Sequence, residues 1–212
     1  MKVEMKDCKL YAITTEPVNG YDFQSMVEAA VKGGADIIQY RDNTSRDDKH
    51  KLEIIRKLKI ITQKYGKILI VNNRIDLAIL CGADGVHLGQ DDVPIAEARK
   101  ICSKCDKPDF IIGISTHSME QALQAEKNGA DYVGIGPLFA TPTKPTYQPI
   151  GAELAAAVQQ TLKIPAFAIG NINFENIDFL LQLGINKIAV VREIFHAKDV
   201  EEAACDLKSK VL

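Results

Sequence analysis

A chain of 212 residues with a formal net charge of −2 suits one packed domain and carries no basic field for nucleic acid or anionic lipid. With 46% apolar and 25% charged residues it reads as a globular protein; no apolar run reaches bilayer-spanning length, and the opening MKVEMKD lacks the apolar stretch of a secretion signal. A cytoplasmic protein with neither membrane nor nucleic-acid partners is expected, and five scattered cysteines give no disulfide framework.

In chain order, the first apolar run is KLYAITT from Lys9. The helical stretch DFQSMVEAAVKG follows. Its Phe23, Met26, Val27, Ala30 and Val31 fall at i, i+3, i+4, i+7 and i+8, which is one helix face. GGADIIQYRD from Gly33, KILIVNN from Lys67 and CGADGVHLGQD from Cys81 supply the second, third and fourth strands. The CSKC of Cys102 and Cys105 has no second pair and no histidines at ligand spacing, so it reads as two incidental thiols near a helix end. FIIGISTH from Phe110 is the fifth strand, and Ser118 with Gln121 stands at capping-box spacing after it. NGADYVGIGPL from Asn128, IPAFAIGN from Ile164 and LGINKIAVVRE from Leu183 complete the set.

Four of these strands are copies of one pattern. Gly34, Gly82, Gly129 and Gly184 stand 48, 47 and 55 residues apart. Each closes a helical stretch in the left-handed position and is followed two places later by Asp36, Asp84, Asp131 or Asn186, then by an apolar run. Eight strand–helix units of roughly 25 residues predict a parallel sheet closed on itself, a (β/α)8 TIM barrel forming a single compact domain over residues 1–212. The rival is an open doubly wound sheet. It would carry a Gly-rich fingerprint after the first strand, where this chain has AITTEP.

A barrel of this kind does its chemistry at the C-terminal strand ends. Those ends carry Gln39, Tyr40, Arg41, Asp42 and Asn43; Asn72 and Asn73; Gln90, Asp91 and Asp92; Ser115, Thr116 and His117; Gly170 and Asn171; and Val191 and Arg192. Gln39 and Arg41, two apart, share one side of their strand. Arg41 there suits an anion, with a salt bridge to a nearby Asp as the alternative. Asp91 and Asp92 suit Mg²⁺ beside phosphate oxygens, or the cap of the helix that follows. His87 lies inside a strand and reads as structural, while His117 either caps or braces the next helix or does chemistry. The sixth strand runs into GPLFATPTKPTYQPIG, where Thr141, Pro142, Thr143 and Lys144 bring hydroxyls, backbone amides and one cation, the parts of a phosphate cradle.

These motifs together resemble the thiamin phosphate synthase / TenI family, from Tyr11 to about Ala204. They are Gln39-x-Arg41, Val71-Asn72, Gly85-Val86-His87-Leu88-Gly89-Gln90 with Asp92, Gly113 to Ser118, Asp131-Tyr132-Val133-Gly134-x-Gly136-Pro137, and Thr141-Pro142-Thr143-Lys144. The resemblance implies an enzyme that joins a pyrimidine methyl diphosphate to a thiazole phosphate and releases pyrophosphate. It assigns the pyrimidine diphosphate to Gln39, Tyr40, Arg41, Asp42, Asn43, Asn72, Ser115 and Lys144. It assigns the thiazole phosphate to Thr141, Pro142, Thr143, Gly170, Asn171, Val191 and Arg192, and Mg²⁺ to Asp92 with Asn73 as a weaker ligand. Four positions depart from the family pattern: Asn43 stands for Lys, Asn73 for Asp, Asn171 for Gly and Arg192 for Ser. Two alternatives follow, a TenI-like thiazole tautomerase using His117 as acid or base and a non-catalytic phosphate-binding paralogue.

Overall fold

Strands with both faces covered need no polar alternation, and each apolar run above becomes one. In the computed structural model, which describes residues 4–141 and 148–212, they are β1 (Leu10–Ile13), β2 (Ile37–Tyr40), β3 (Ile68–Asn72), β4 (Gly85–Leu88), β5 (Ile111–Thr116), β6 (Tyr132–Ile135), β7 (Ala166–Ile169) and β8 (Ile188–Val190). Each pairs in parallel with the next, and β1 pairs with β8 through Tyr11 and Ala189 to close the barrel. The doubly wound alternative is thereby removed. Around the barrel run α1 (Phe23–Lys32), α2 (Asp48–Lys64), α3 (Ile75–Leu80), α4 (Ile95–Lys104), α5 (Met119–Lys127), α6 (Ala152–Thr161), α7 (Ile177–Gln182), α8 (Arg192–Phe195) and α9 (Val200–Val211). None of the described helices is long and apolar enough to cross a membrane.

Alternation along the strands divides the core in two. Leu10, Ala12, Ile38, Tyr40, Leu69, Val71 and Val86 face outward against the helices. The expected stripe of α1, Phe23 to Val31, is buried against them. Tyr11, Ile13, Ile37, Ile68, Ile70, Tyr132, Phe167 and Ala189 fill the barrel interior. The Tyr132 ring crosses to β5, where a Cβ on Gly113 would lie 2.0 Å from its Cζ, so only glycine leaves room for it.

The repeated glycines adopt positive φ as expected, from 65° to 102°. The acidic residue two places on pins the start of a neighbouring strand. Asp36 Oδ2 accepts from the backbone N–H of Lys9 (2.8 Å) and Leu10 (3.1 Å), Asp84 Oδ2 from Leu69 N (2.9 Å), and Asp131 Oδ2 from Ile112 N (2.6 Å). A cation from a helix joins each carboxylate: Lys208, Lys59 and Arg99 respectively. The fourth copy has Asn186, and there Gln159 of α6 takes over, donating to Ala166 O (2.9 Å) and Lys187 O (2.8 Å).

Two local expectations change. Ser118 does cap α5, accepting from Gln121 N, but Gln121 Oε1 accepts from His117 N at 2.7 Å rather than from the cap residue's own amide. Neither Asp91 nor Asp92 caps α4, whose first turn follows Pro94 without a side-chain cap. All five cysteines are free; Cys102 is buried and Cys105 exposed, as two unrelated thiols would be.

Candidate active site

A cavity of about 590 Å³ opens at the C-terminal ends of the strands, within the size range of small-molecule sites. Gln39, Arg41, Asn72, Ser115, Thr141, Gly170, Asn171, Val191 and Arg192 all line it, as do His87 and His117. Residues separated by some 150 positions in sequence therefore meet at one mouth, because every strand enters the barrel in the same direction.

Strand alternation sorts the β2 segment. Gln39 and Arg41 project into the cavity, whereas Tyr40 and Asp42 turn outward and do not line it. Tyr40 packs edge-on against Phe23, with ring centroids 5.5 Å apart, and donates to Asp42 Oδ2 at 2.9 Å. Asp42 also accepts from Arg46 and from Thr44 N (2.8 Å). Burial alone would raise its carboxyl, but the bonds from Thr44, Arg46 and Tyr40 hold it down at about 2. The side chains of these two residues shape the loop rather than the cavity wall.

Arg41 is left with its charge uncompensated. Burial pulls its pKa down, and among the described residues no carboxylate comes within ion-pair distance. The salt-bridge alternative therefore falls away, since the adjacent Asp42 is already engaged by Arg46. The Asn43 amide oxygen, in the orientation that satisfies both ends of the group, accepts from Arg41 Nη1 (3.0 Å) and Nη2 (2.6 Å). Among the described residues its partner is neutral, and a half-buried guanidinium so placed suits an anion.

A second polar corner lies at β7 and β8. Gly170 has φ of 121°, and a Cβ there would sit 2.5 Å from Leu138 N, so the chain after β6 can pass only over a glycine. Asn171 also takes positive φ, 53°, which asparagine tolerates. Arg192 Nη2 donates to Asn171 Oδ1 at 2.9 Å. Two of the four departures from the family pattern are thus bonded to each other. Thr141 faces this cavity; Pro142, Thr143 and Lys144 lie outside the described residues.

The profile of the family described as thiamine monophosphate synthase matches residues 10–194. The chain belongs to this family. It is 45% identical to the thiamine-phosphate synthase of Shouchella clausii over 202 residues, covering 94% of each chain. It is 42% identical to that of Halalkalibacterium halodurans, covering 98% of this chain and 97% of the relative. Among solved structures, a thiamine phosphate pyrophosphorylase from Pyrococcus furiosus superposes with a TM-score of 0.86 at 37% identity, over 96% of this chain and 95% of that one. A 3-hexulose-6-phosphate synthase, at 17% identity and a TM-score of 0.67, shares the fold alone.

The family's expected metal residues can be tested against this geometry. Among the described residues no three His, Cys, Asp or Glu side chains cluster closely enough to hold a metal by themselves. Asp92 Oδ2 accepts from Gly89 N at 2.6 Å, and no described residue donates to Oδ1. Asn73 is exposed, with φ of 61°, and its N–H donates to His87 O at 2.8 Å. Neither residue lines the cavity itself. Such a donor set fits a hard cation that takes most of its oxygens from phosphate and water, which is the habit of Mg²⁺.

Sequence reasoning missed three residues beneath the cavity. Gln39 Nε2 donates to Tyr11 Oη at 2.7 Å, and Tyr11 Oη lies 2.8 Å from Tyr132 Oη. Tyr132 Oη lies 3.0 Å from His87 Nδ1, and His87 Nε2 lies 2.9 Å from Ser115 Oγ. His87, read as structural, is both buried and a wall of the cavity. The signal available was a polar atom at an interior-facing position on each of several strands.

Proposed function

We propose that the chain couples 4-amino-2-methyl-5-(diphosphooxymethyl)pyrimidine to a thiazole phosphate, yielding thiamin phosphate and pyrophosphate. The observation that carries this reading is Arg41, an uncompensated cation in the same cavity as the Gly170–Asn171 turn and Arg192. One corner receives the diphosphate and the other the thiazole phosphate. Gln39 and Ser115 face the pyrimidine between them, with Asn72 beside the diphosphate. Lys144, Pro142 and Thr143 join these groups on sequence grounds, and Thr141 does so from the cavity wall.

The bond from the pyrimidine methylene to the diphosphate oxygen breaks, and its electron pair leaves with pyrophosphate. The thiazole nitrogen then gives its lone pair to the methylene cation. The protein's part is to neutralise charge on the leaving group and hold the two rings in line. No protein nucleophile is required, and neither cysteine nor lysine is among the described residues lining the cavity. Bound magnesium, held by Asp92 with Asn73 in support, would supply further positive charge to the diphosphate. A cytoplasmic setting belongs to this reading, and the five free thiols favour it.

The test is turnover with both phosphorylated halves and Mg²⁺, read as thiamin phosphate formed. Failure of that reaction, with interconversion of thiazole carboxylate phosphate isomers by the same preparation, would move the site to tautomerase chemistry and make His117, whose Nδ1 is 2.5 Å from Gly136 O, its candidate acid or base.

A further inference from the structure

Five side chains from five strands form one unbroken hydrogen-bonded series across the barrel interior: Gln39 of β2, Tyr11 of β1, Tyr132 of β6, His87 of β4 and Ser115 of β5. Its ends, Gln39 and Ser115, both line the cavity. Its middle, Tyr11 and Tyr132, is fully buried. Burial pushes both phenols well above their ordinary range, so each keeps its proton.

The direction of every bond follows from the first. The Gln39 amide donates to Tyr11 Oη, and among the described residues the partner on Tyr11's other side is Tyr132 Oη. A buried hydroxyl proton without an acceptor is costly, so Tyr11 donates to Tyr132. Tyr132 must in turn donate to His87 Nδ1, which makes Nδ1 an acceptor and places the imidazole proton on Nε2. That N–H donates to Ser115 Oγ, and the serine retains its own proton to give. At the other end, no described residue donates to Gln39 Oε1, yet no buried side-chain oxygen lacks a partner among the described residues. Gln39 Oε1 therefore opens on the cavity as an acceptor.

We infer that Tyr11, Tyr132 and His87 are positioning residues: their relay fixes His87 as the Nε2–H tautomer and gives the cavity a permanent acceptor at Gln39 Oε1 and a permanent donor at Ser115 Oγ. A ring edge carrying an amino group and an unprotonated nitrogen matches that pair, and a ring with an oxo group in place of the amine does not. The inference rests on the reading that an aminopyrimidine occupies this cavity only where ring selectivity is concerned. The tautomer is a property of the protein alone.

The first experiment is ¹⁵N NMR of the imidazoles in the protein without substrate, with the His87 signals assigned by their loss in His87→Asn. The expected result is a pyrrole-type Nε2 and a pyridine-type Nδ1. An Nδ1–H tautomer in the wild type would mean that the series runs the other way and would overturn the inference. Tyr132→Phe keeps the ring and removes the donor to Nδ1; it should give a mixture of tautomers, and an unchanged single Nε2–H form would count against the relay. The second experiment measures binding of the pyrimidine methyl diphosphate and its 4-oxo analogue. The wild type should prefer the amine by about ten- to a hundredfold, the cost of facing one acceptor with another. In Tyr11→Phe the Gln39 amide loses its anchor and can turn, so the preference should shrink to about threefold or less. Undiminished preference in that variant overturns the Gln39 half. Turnover to thiamin phosphate by the wild type is scored separately, so the relay and the synthase reading can fail independently.

Discussion

Arg41 shows how one residue can be costly for folding and valuable for function. Burial works against its charge, and the neutral Asn43 amide offsets this only in part. Replacing it with an unbranched apolar chain of similar length should therefore separate the two roles. Arg41→Met is expected to lower kcat/KM by about two to three orders of magnitude, comparable to removing one strong stabiliser of developing negative charge. The same variant should match or exceed the wild type by up to about 1 kcal/mol in urea unfolding. A loss of stability alongside the loss of activity would show that Arg41 is a structural cation after all. The pairing of Gln39 with Arg41 was legible from a spacing of two on a strand, and the same rule puts Tyr40 and Asp42 on the other side. The resemblance assigned all four together, and alternation divides them. Tyr11, Tyr132 and His87 were not legible. Their contacts cross the barrel, and no single strand's pattern states which residues meet over that gap.

The repeated Gly-x-Asp exposed the barrel in the sequence without revealing what its acid does. Asp36, Asp84 and Asp131 sit before their strands, at the end away from the cavity, and hold down neighbouring strand starts. Conserving a pattern across four units is a matter of construction here, and the fourth unit meets the same need with Gln159. Asp36 is paired with two cations, Lys208 at 2.5 Å and Lys67 at 3.3 Å. Burial would raise its pKa, but the Lys208 bond and the two backbone N–H donors hold it below the ordinary 3.8. A carboxylate whose folded pKa is depressed adds stability above its unfolded pKa and loses it as pH falls through the folded one. Asp36→Asn should thus cost about 3 kcal/mol in urea unfolding between pH 5 and 8, as expected for a broken buried ion pair. The difference from wild type should shrink as pH falls below the 3.8 of a free aspartate. Turnover at neutral pH should change little in the folded fraction. A pH-independent deficit would assign the effect to lost shape rather than lost charge.

At the scale of the whole molecule, the two ends of the barrel divide the work. One end carries the carboxylate pins that hold strands in place, and the other gathers the polar groups that line the cavity. That division was legible as soon as eight units were counted, because parallel strands must bring all their C-terminal ends to one rim. The chemistry of the rim was less so, since it depends on which loops fold back over it. A ligand bridging Arg41 on β2 with groups on other strands would tie the rim together and should stabilise the fold as a unit. Pyrophosphate with Mg²⁺ is the simplest such probe, because it is the leaving group without either ring. At about a hundred times its Kd it should contribute about 2.7 kcal/mol of stability. For a chain of this length that is a rise in Tm of roughly 5–10 °C. Arg41→Met should show little of this rise at the same concentration, while Asp36→Asn, weakened at the far end, should show nearly all of it from a lower starting Tm. Equal shifts in both variants would place the pyrophosphate somewhere other than the cavity mouth, and the coupling of Arg41 to the diphosphate would have to be abandoned.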